Sequence, residues 1–127
     1  MAHGGRMKLA RWLVILGTLF LLATALLHLY GYKFVMPVLA ATNIPPELLR
    51  AVKALWLAMS AQLILLCLVI IQASRLPNGR RLVLLCTLIP AAVTILLYGC
   101  VGVFIGSIGL TIATALLAAG GLRLPKS

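Results

Sequence analysis

Acid is what this chain has least of. Among 127 residues Glu47 is the one carboxylate side chain, set against 11 Lys and Arg, and charged residues of both signs make up only 9%. A soluble domain of this size carries about a quarter charged residues, so this composition does not suit a body surrounded by water. The scarcity also bears on chemistry. Proton relays and ion-coupled transport place a titratable carboxylate at mid-membrane depth, whereas the middles of the apolar runs here offer only Gln62, threonines and cysteines. Coupled transport by a single copy is disfavoured. An oligomeric channel or transporter, with several copies lining a pore, stays open as one alternative.

Cysteine is nearly as sparse. Cys67, Cys86 and Cys100 are odd in number, widely spaced and set inside apolar segments. They lack the short Cys/His spacing of a zinc site, so neither a metal nor a cofactor is expected. They read as small buried hydrophobes, and a disulfide is not expected. The chain has no Gly-x-Ser-x-Gly elbow and no Gly-rich loop followed by Lys, which removes two common catalytic signatures. The net charge of +10 would suit nucleic acid only on a basic face interleaved with readers of bases. No such face occurs, so no nucleic acid partner is expected.

What the chain does have is apolar length. Hydrophobic residues make up 64%, gathered in runs that reach the ~20 residues a helix needs to cross a bilayer. The runs place helices at about 9–30, 46–73, 82–98 and 102–122, in a single transmembrane domain spanning 1–127. The expected fold is all-α: a polytopic integral membrane protein built as an antiparallel four-transmembrane-helix bundle. The first run is longer than a secretory h-region, so it reads as a span and not a cleaved leader. Residues 1–8 form a polar lead expected to be loosely ordered. The apolar stretch Phe34–Ala41 is expected to be a connection lying along the interface or folding over the bundle, with a short helix after Pro37. Pro45-Pro46 starts the second helix, Ser74–Arg81 makes a hydrophilic turn, and Pro90 kinks the third helix.

Orientation follows from the basic residues. Placing both termini and the Arg75–Arg81 turn in the cytoplasm puts eight Lys and Arg there (Arg6, Lys8, Arg11, Arg75, Arg80, Arg81, Arg123, Lys126) and leaves Lys33, Arg50 and Lys53 outside. Cytoplasmic loops attract Lys and Arg. A bacterial inner membrane with both termini cytoplasmic is the expected location.

Polar chemistry gathers at the outer end: His28, Tyr32, Lys33, Glu47, Arg50 and Lys53. The bland reading is an interfacial belt with snorkelling cations, Glu47 pairing with Arg50 at i,i+3. The functional reading is an anion site in which Arg50 and Lys53 hold a phosphate or carboxylate headgroup. His28 is the one plausible general base, since His3 lies in the polar lead, and Glu47 beside it would orient the imidazole. Ala54, Ala58 and Ala61 on the second helix, with Gly102 and Gly106 at the start of the fourth, are small residues of the type that lets membrane helices approach closely. Gln62 is expected to find a partner on another helix. Together these point to a binding or accessory protein. It is expected to pack against a larger membrane partner or a second copy of itself in the lipid bilayer, with an anionic lipid at its outer end as the further ligand the anion-site reading implies. The alternative from another class is a small enzyme acting on a lipid headgroup with His28 as base.

Overall fold

A computed structural model describes the backbone of residues 2–125 and the side chains of 5–125. The His3 side chain and Lys126 fall outside that range. The described residues form four helices and no strand: α1 Ala2–Ala40, α2 Pro46–Ala73, α3 Gly79–Cys100 and α4 Ile105–Arg123. All four are long and apolar enough to cross a membrane. The surface is apolar as well as the core. Ile95, Val103 and Ile105 lie 72%, 76% and 72% exposed, while Ser60, Ser107 and Thr18 are among the buried residues. Large apolar side chains over the outside fit lipid as the solvent.

Most of the buried hydroxyls cost little because they are satisfied within their own helix, the Thr114 hydroxyl being an exception with no partner among the described residues. Thr18 donates to the Val14 carbonyl at 2.7 Å, Thr87 to Val83 at 2.7 Å, Thr94 to Pro90 at 2.7 Å and Ser60 to Trp56 at 3.1 Å. This is how membrane helices carry polar side chains without an external partner. Ser107 does more. Its hydroxyl accepts the Phe104 N–H at 3.0 Å and donates to the Phe104 carbonyl at 2.8 Å, holding the first turn of α4 where no N-cap side chain serves.

The largest departures from the sequence expectation are on α1, while α3 begins at Gly79, taking in the last residues of the expected turn, and α4 begins only at Ile105. Residues 2–8 are helical, where a loose lead was expected. At the other end the helix runs through Phe34–Ala40, where an apolar connection was expected, and carries Pro37 inside it. Pro37 falls in the final turn, so it removes only the bond that its missing N–H would have made to Lys33. Ala41 N–H still bonds the Pro37 carbonyl at 3.1 Å. With 39 residues the helix is about 58 Å long, nearly twice the hydrocarbon thickness. The third helix stays continuous through the buried Pro90.

The bundle is antiparallel, and its tightest seam joins the first helix to the last. α1 packs most closely on α4, then α3 on α4 and α1 on α2, while α2 and α3 meet sparsely. Glycines open the α1–α4 seam. A Cβ on Gly17 would lie 2.8 Å from Leu117 Cγ, and one on Gly120 would lie 2.9 Å from the Val14 nitrogen and 3.1 Å from the Ala10 carbonyl oxygen. Small residues are what allow such approach in lipid, where packing and not the hydrophobic effect joins helices. The core between them holds Val14, Leu21, Leu117 and, from α2, Ile70.

Candidate functional site

At the end bearing the 41–45 and 101–104 links, the helices separate around a cavity of about 550 Å³. Its walls come from all four helices. α1 contributes Thr24, His28, Gly31 and Phe34; α2 contributes Trp56, Met59 and Leu63; α3 contributes Val93 and Leu97; the last link and α4 contribute Phe104, Gly106 and Leu110. The helical extension of α1 past His28 is therefore a wall of this space, which is why the boundary of α1 matters to function.

His28 and Trp56 form its polar feature. Their rings stack at 4.2 Å between centroids and 7° between planes. The Trp56 indole N–H donates to the His28 carbonyl at 2.8 Å, pinning α2 to α1. His28 Nε2 is buried with no hydrogen-bond partner among the described residues. An unpaired buried nitrogen is disfavoured unless something else reaches it.

Glu47 pairs with Arg50 at 3.4 Å, with both side chains mostly exposed, at 78% and 75%. Such a pair contributes little. No hydrogen bond or ion pair joins Glu47 to His28 among the described residues, so the expected carboxylate–imidazole pair does not form. Arg50 also reaches the Pro46 carbonyl at 3.4 Å. Neither Arg50 nor Glu47 lines the cavity. Lys53 is half-buried and lies three residues before Trp56, on nearly the same side of α2. Tyr30 lines the cavity, whereas Tyr32 is half-buried outside its lining. Lys33 is exposed, its ammonium 5.8 Å from the Tyr30 ring centroid, within cation–π reach. Of the expected anion cluster only His28 lines the cavity; Tyr32, Lys33, Glu47, Arg50 and Lys53 lie outside its lining, which is largely apolar.

No protein-family model, curated protein or solved structure matches this chain.

The small residues sort into two kinds. Gly102 is a turn residue, with φ +92° and open space where a side chain would stand. Gly106 faces the Phe104 ring, 2.5 Å from a built Cβ, and not a neighbouring helix. The glycines that bring helices together inside this chain are Gly17, Gly109, Gly120 and Gly121. Ala54, Ala58 and Ala61 all lie on the exposed face of α2. Gln62 shares that exposure and makes no hydrogen bond among the described residues, so the interhelical partner expected for it is not within this chain. The unpaired His28 nitrogen and the cavity could not be read from the sequence. Their one signal was that His28, Gly31 and Val35 recur at helical spacing from the expected span into the Phe34–Ala41 connection.

Proposed function

We propose that this is a membrane-embedded binding protein whose cavity holds the apolar body of a lipid-like amphiphile. The carrying observation is the cavity of about 550 Å³ enclosed by all four helices, within the ~300–1,000 Å³ range of small-molecule sites. Its lining is largely apolar, with His28, Thr24, Tyr30 and Trp56 as the polar exceptions; Thr24 is already bonded to the Phe20 carbonyl at 2.8 Å and the Trp56 indole to the His28 carbonyl at 2.8 Å. The buried His28 Nε2, without a partner among the described residues, supports recognition of one hydroxyl or carbonyl on the ligand. Lys53 is placed to meet an anionic headgroup. The headgroup-enzyme alternative gains less support, because the His28 ring is stacked on Trp56 and has no carboxylate to orient it.

Filling the cavity tests this. Leu97→Trp should lower the lipid retained in native mass spectrometry several-fold, while Ile95→Trp, on the exposed side of α3, should leave it unchanged. Equal retention in both would sink the proposal.

A second reading, as an accessory subunit packing on a larger partner or on its own copy, is favoured by the α2 surface. Ala54, Ala58, Ala61 and Gln62 share one exposed face, and an unpaired amide in hydrocarbon favours a neighbouring helix that bonds it. The two readings are compatible, since the cavity lies on the opposite side of α2. Orientation with both termini in the cytoplasm of a bacterial inner membrane is supported by the eight-to-three division of Lys and Arg. Labelling of Asn78→Cys but not Asn43→Cys by an impermeant reagent from outside would reverse it.

A further inference from the structure

At the end opposite the cavity, two adjoining clefts open where α1, the 74–78 turn and the end of α4 meet. One, of about 230 Å³, is lined by Arg11, Arg75 and Arg80 together with Met7, Leu76 and Leu124; the other, of about 220 Å³, continues from Arg11 and Arg75 along Val14, Ile15 and Ile71. Both contain Ser74. We propose that this composite cleft binds the phosphate of an anionic phospholipid, with an acyl chain lying in the Val14–Ile15–Ile71 trough.

Charge is the first reason. The three guanidinium groups make no hydrogen bond or ion pair among the described residues, and the only Asp or Glu in the chain, Glu47, is bound to Arg50 at the far end of α2. Over the intervening 27 residues, at 1.5 Å each, that carboxylate is about 40 Å away. Helix dipoles do not supply the missing anion, because two helix starts and two helix ends meet here and largely offset one another. A cationic cluster facing the membrane surface with no counterion among the described residues favours an external anion, and guanidinium forks suit phosphate oxygens.

Shape is the second reason, and it selects lipid over a soluble phosphate. Along the cleft the lining passes from arginines to Val14, Ile15 and Ile71, all on membrane-spanning helices. A polar head above an apolar trough matches a phospholipid, whereas a free phosphate would use only the upper part. The turn that aims Arg75 and Arg80 is tightly built. Ser74 N–H bonds the Ile70 carbonyl at 2.9 Å, and Gly79 N–H bonds the Leu76 carbonyl at 3.0 Å. A side chain at Gly79 would meet the Ala73 carbonyl oxygen. The arginines are thereby held by backbone and not left on a loose loop.

The test uses the full chain in nanodiscs containing phosphatidylglycerol and phosphatidylcholine, read by native mass spectrometry of the lipids that stay bound. Phosphatidylglycerol should be retained preferentially. Arg75→Gln with Arg80→Gln should lower that retention about tenfold, the scale of one lost charge-assisted contact. Arg6→Gln with Arg81→Gln removes the same charge outside the clefts and should leave retention unchanged. Equal loss in both pairs would reduce the effect to general surface charge and overturn the site, as would no loss in either. If the first pair does not fold, Arg75→Lys with Arg80→Lys keeps the charge and loses the fork; undiminished retention there overturns the site too. Inorganic phosphate is the last arm. Thermal stabilisation by phosphate that depends on Arg75 and Arg80, with no selective phosphatidylglycerol retention, would overturn the lipid assignment.

Discussion

The two ends of the bundle each collect basic residues, yet they arrange them in opposite ways. At the Trp56 end Arg50 turns to solvent and satisfies itself on Glu47, while the space between the helices is largely apolar and has the His28–Trp56 stack in its wall. At the other end Arg11, Arg75 and Arg80 line the clefts themselves, and no carboxylate side chain is near. The same residue types thus make a rim in one place and a lining in the other. What differs is the backbone beneath them. Arg50 occupies an exposed face of α2, whereas Arg75 in the 74–78 turn and Arg80 in the first turn of α3 line the clefts beside α1. Counting charges cannot separate a belt from a pocket; the direction of the chain does.

Three changes would sharpen or break that comparison, beginning with the largest effect. Gly120 lies in the α1–α4 seam near the arginine end, and its Cβ would meet backbone atoms of α1 at 2.9 and 3.1 Å. Gly120→Ala should cost about 1–3 kcal/mol, the range for overpacking where the neighbour cannot yield. Gly106→Ala, at the cavity end, meets only the Phe104 ring, which can swing, and should cost under about 1 kcal/mol. Thermal unfolding in mild detergent reads the difference, and a larger loss at Gly106 would contradict the seam described here.

Trp56→Phe comes next. It keeps an aromatic face for His28 but removes the 2.8 Å bond to the His28 carbonyl, so a loss of about 1 kcal/mol is expected. The loss should appear with a change in the lipid retained by the cavity, because Trp56 is part of its wall. Destabilisation without any change in bound lipid would separate the stack from the site.

Glu47→Gln should do least. The pair it breaks is 3.4 Å long and mostly exposed, and such pairs contribute about 0–1 kcal/mol. An unfolding temperature unchanged within error is expected in the variant. A large drop would mean that the single carboxylate has a structural partner other than Arg50.

Much of the fold was legible because it rests on local signals. Pro45-Pro46 marks the start of α2 and Pro77-Asn78-Gly79 the turn before α3, since each restricts backbone conformation directly. The end of α1 was not legible. Pro37 and the aromatic belt at Tyr30 and Tyr32 both argue for a boundary, and a proline in a last turn costs far less than one in mid-helix. The candidate site was legible in part. Its outer residues could be named from their place at helix ends, but whether they face inward depends on helix rotation. Lys53 turns partly inward and Arg50 turns out, although the two are only three residues apart.

Composition and run length by themselves determined that this chain forms four apolar helices suited to a membrane, because about 20 consecutive apolar residues leave no other way to satisfy a backbone in lipid. Only the tertiary structure decided which helices touch. The closest approach joins the two helices farthest apart in the chain, through Gly17 and Gly120, and the sparse contact between α2 and α3 accompanies the cavity. Helix formation depends on residues a turn apart, whereas cavities and clefts depend on how whole helices are rotated against one another.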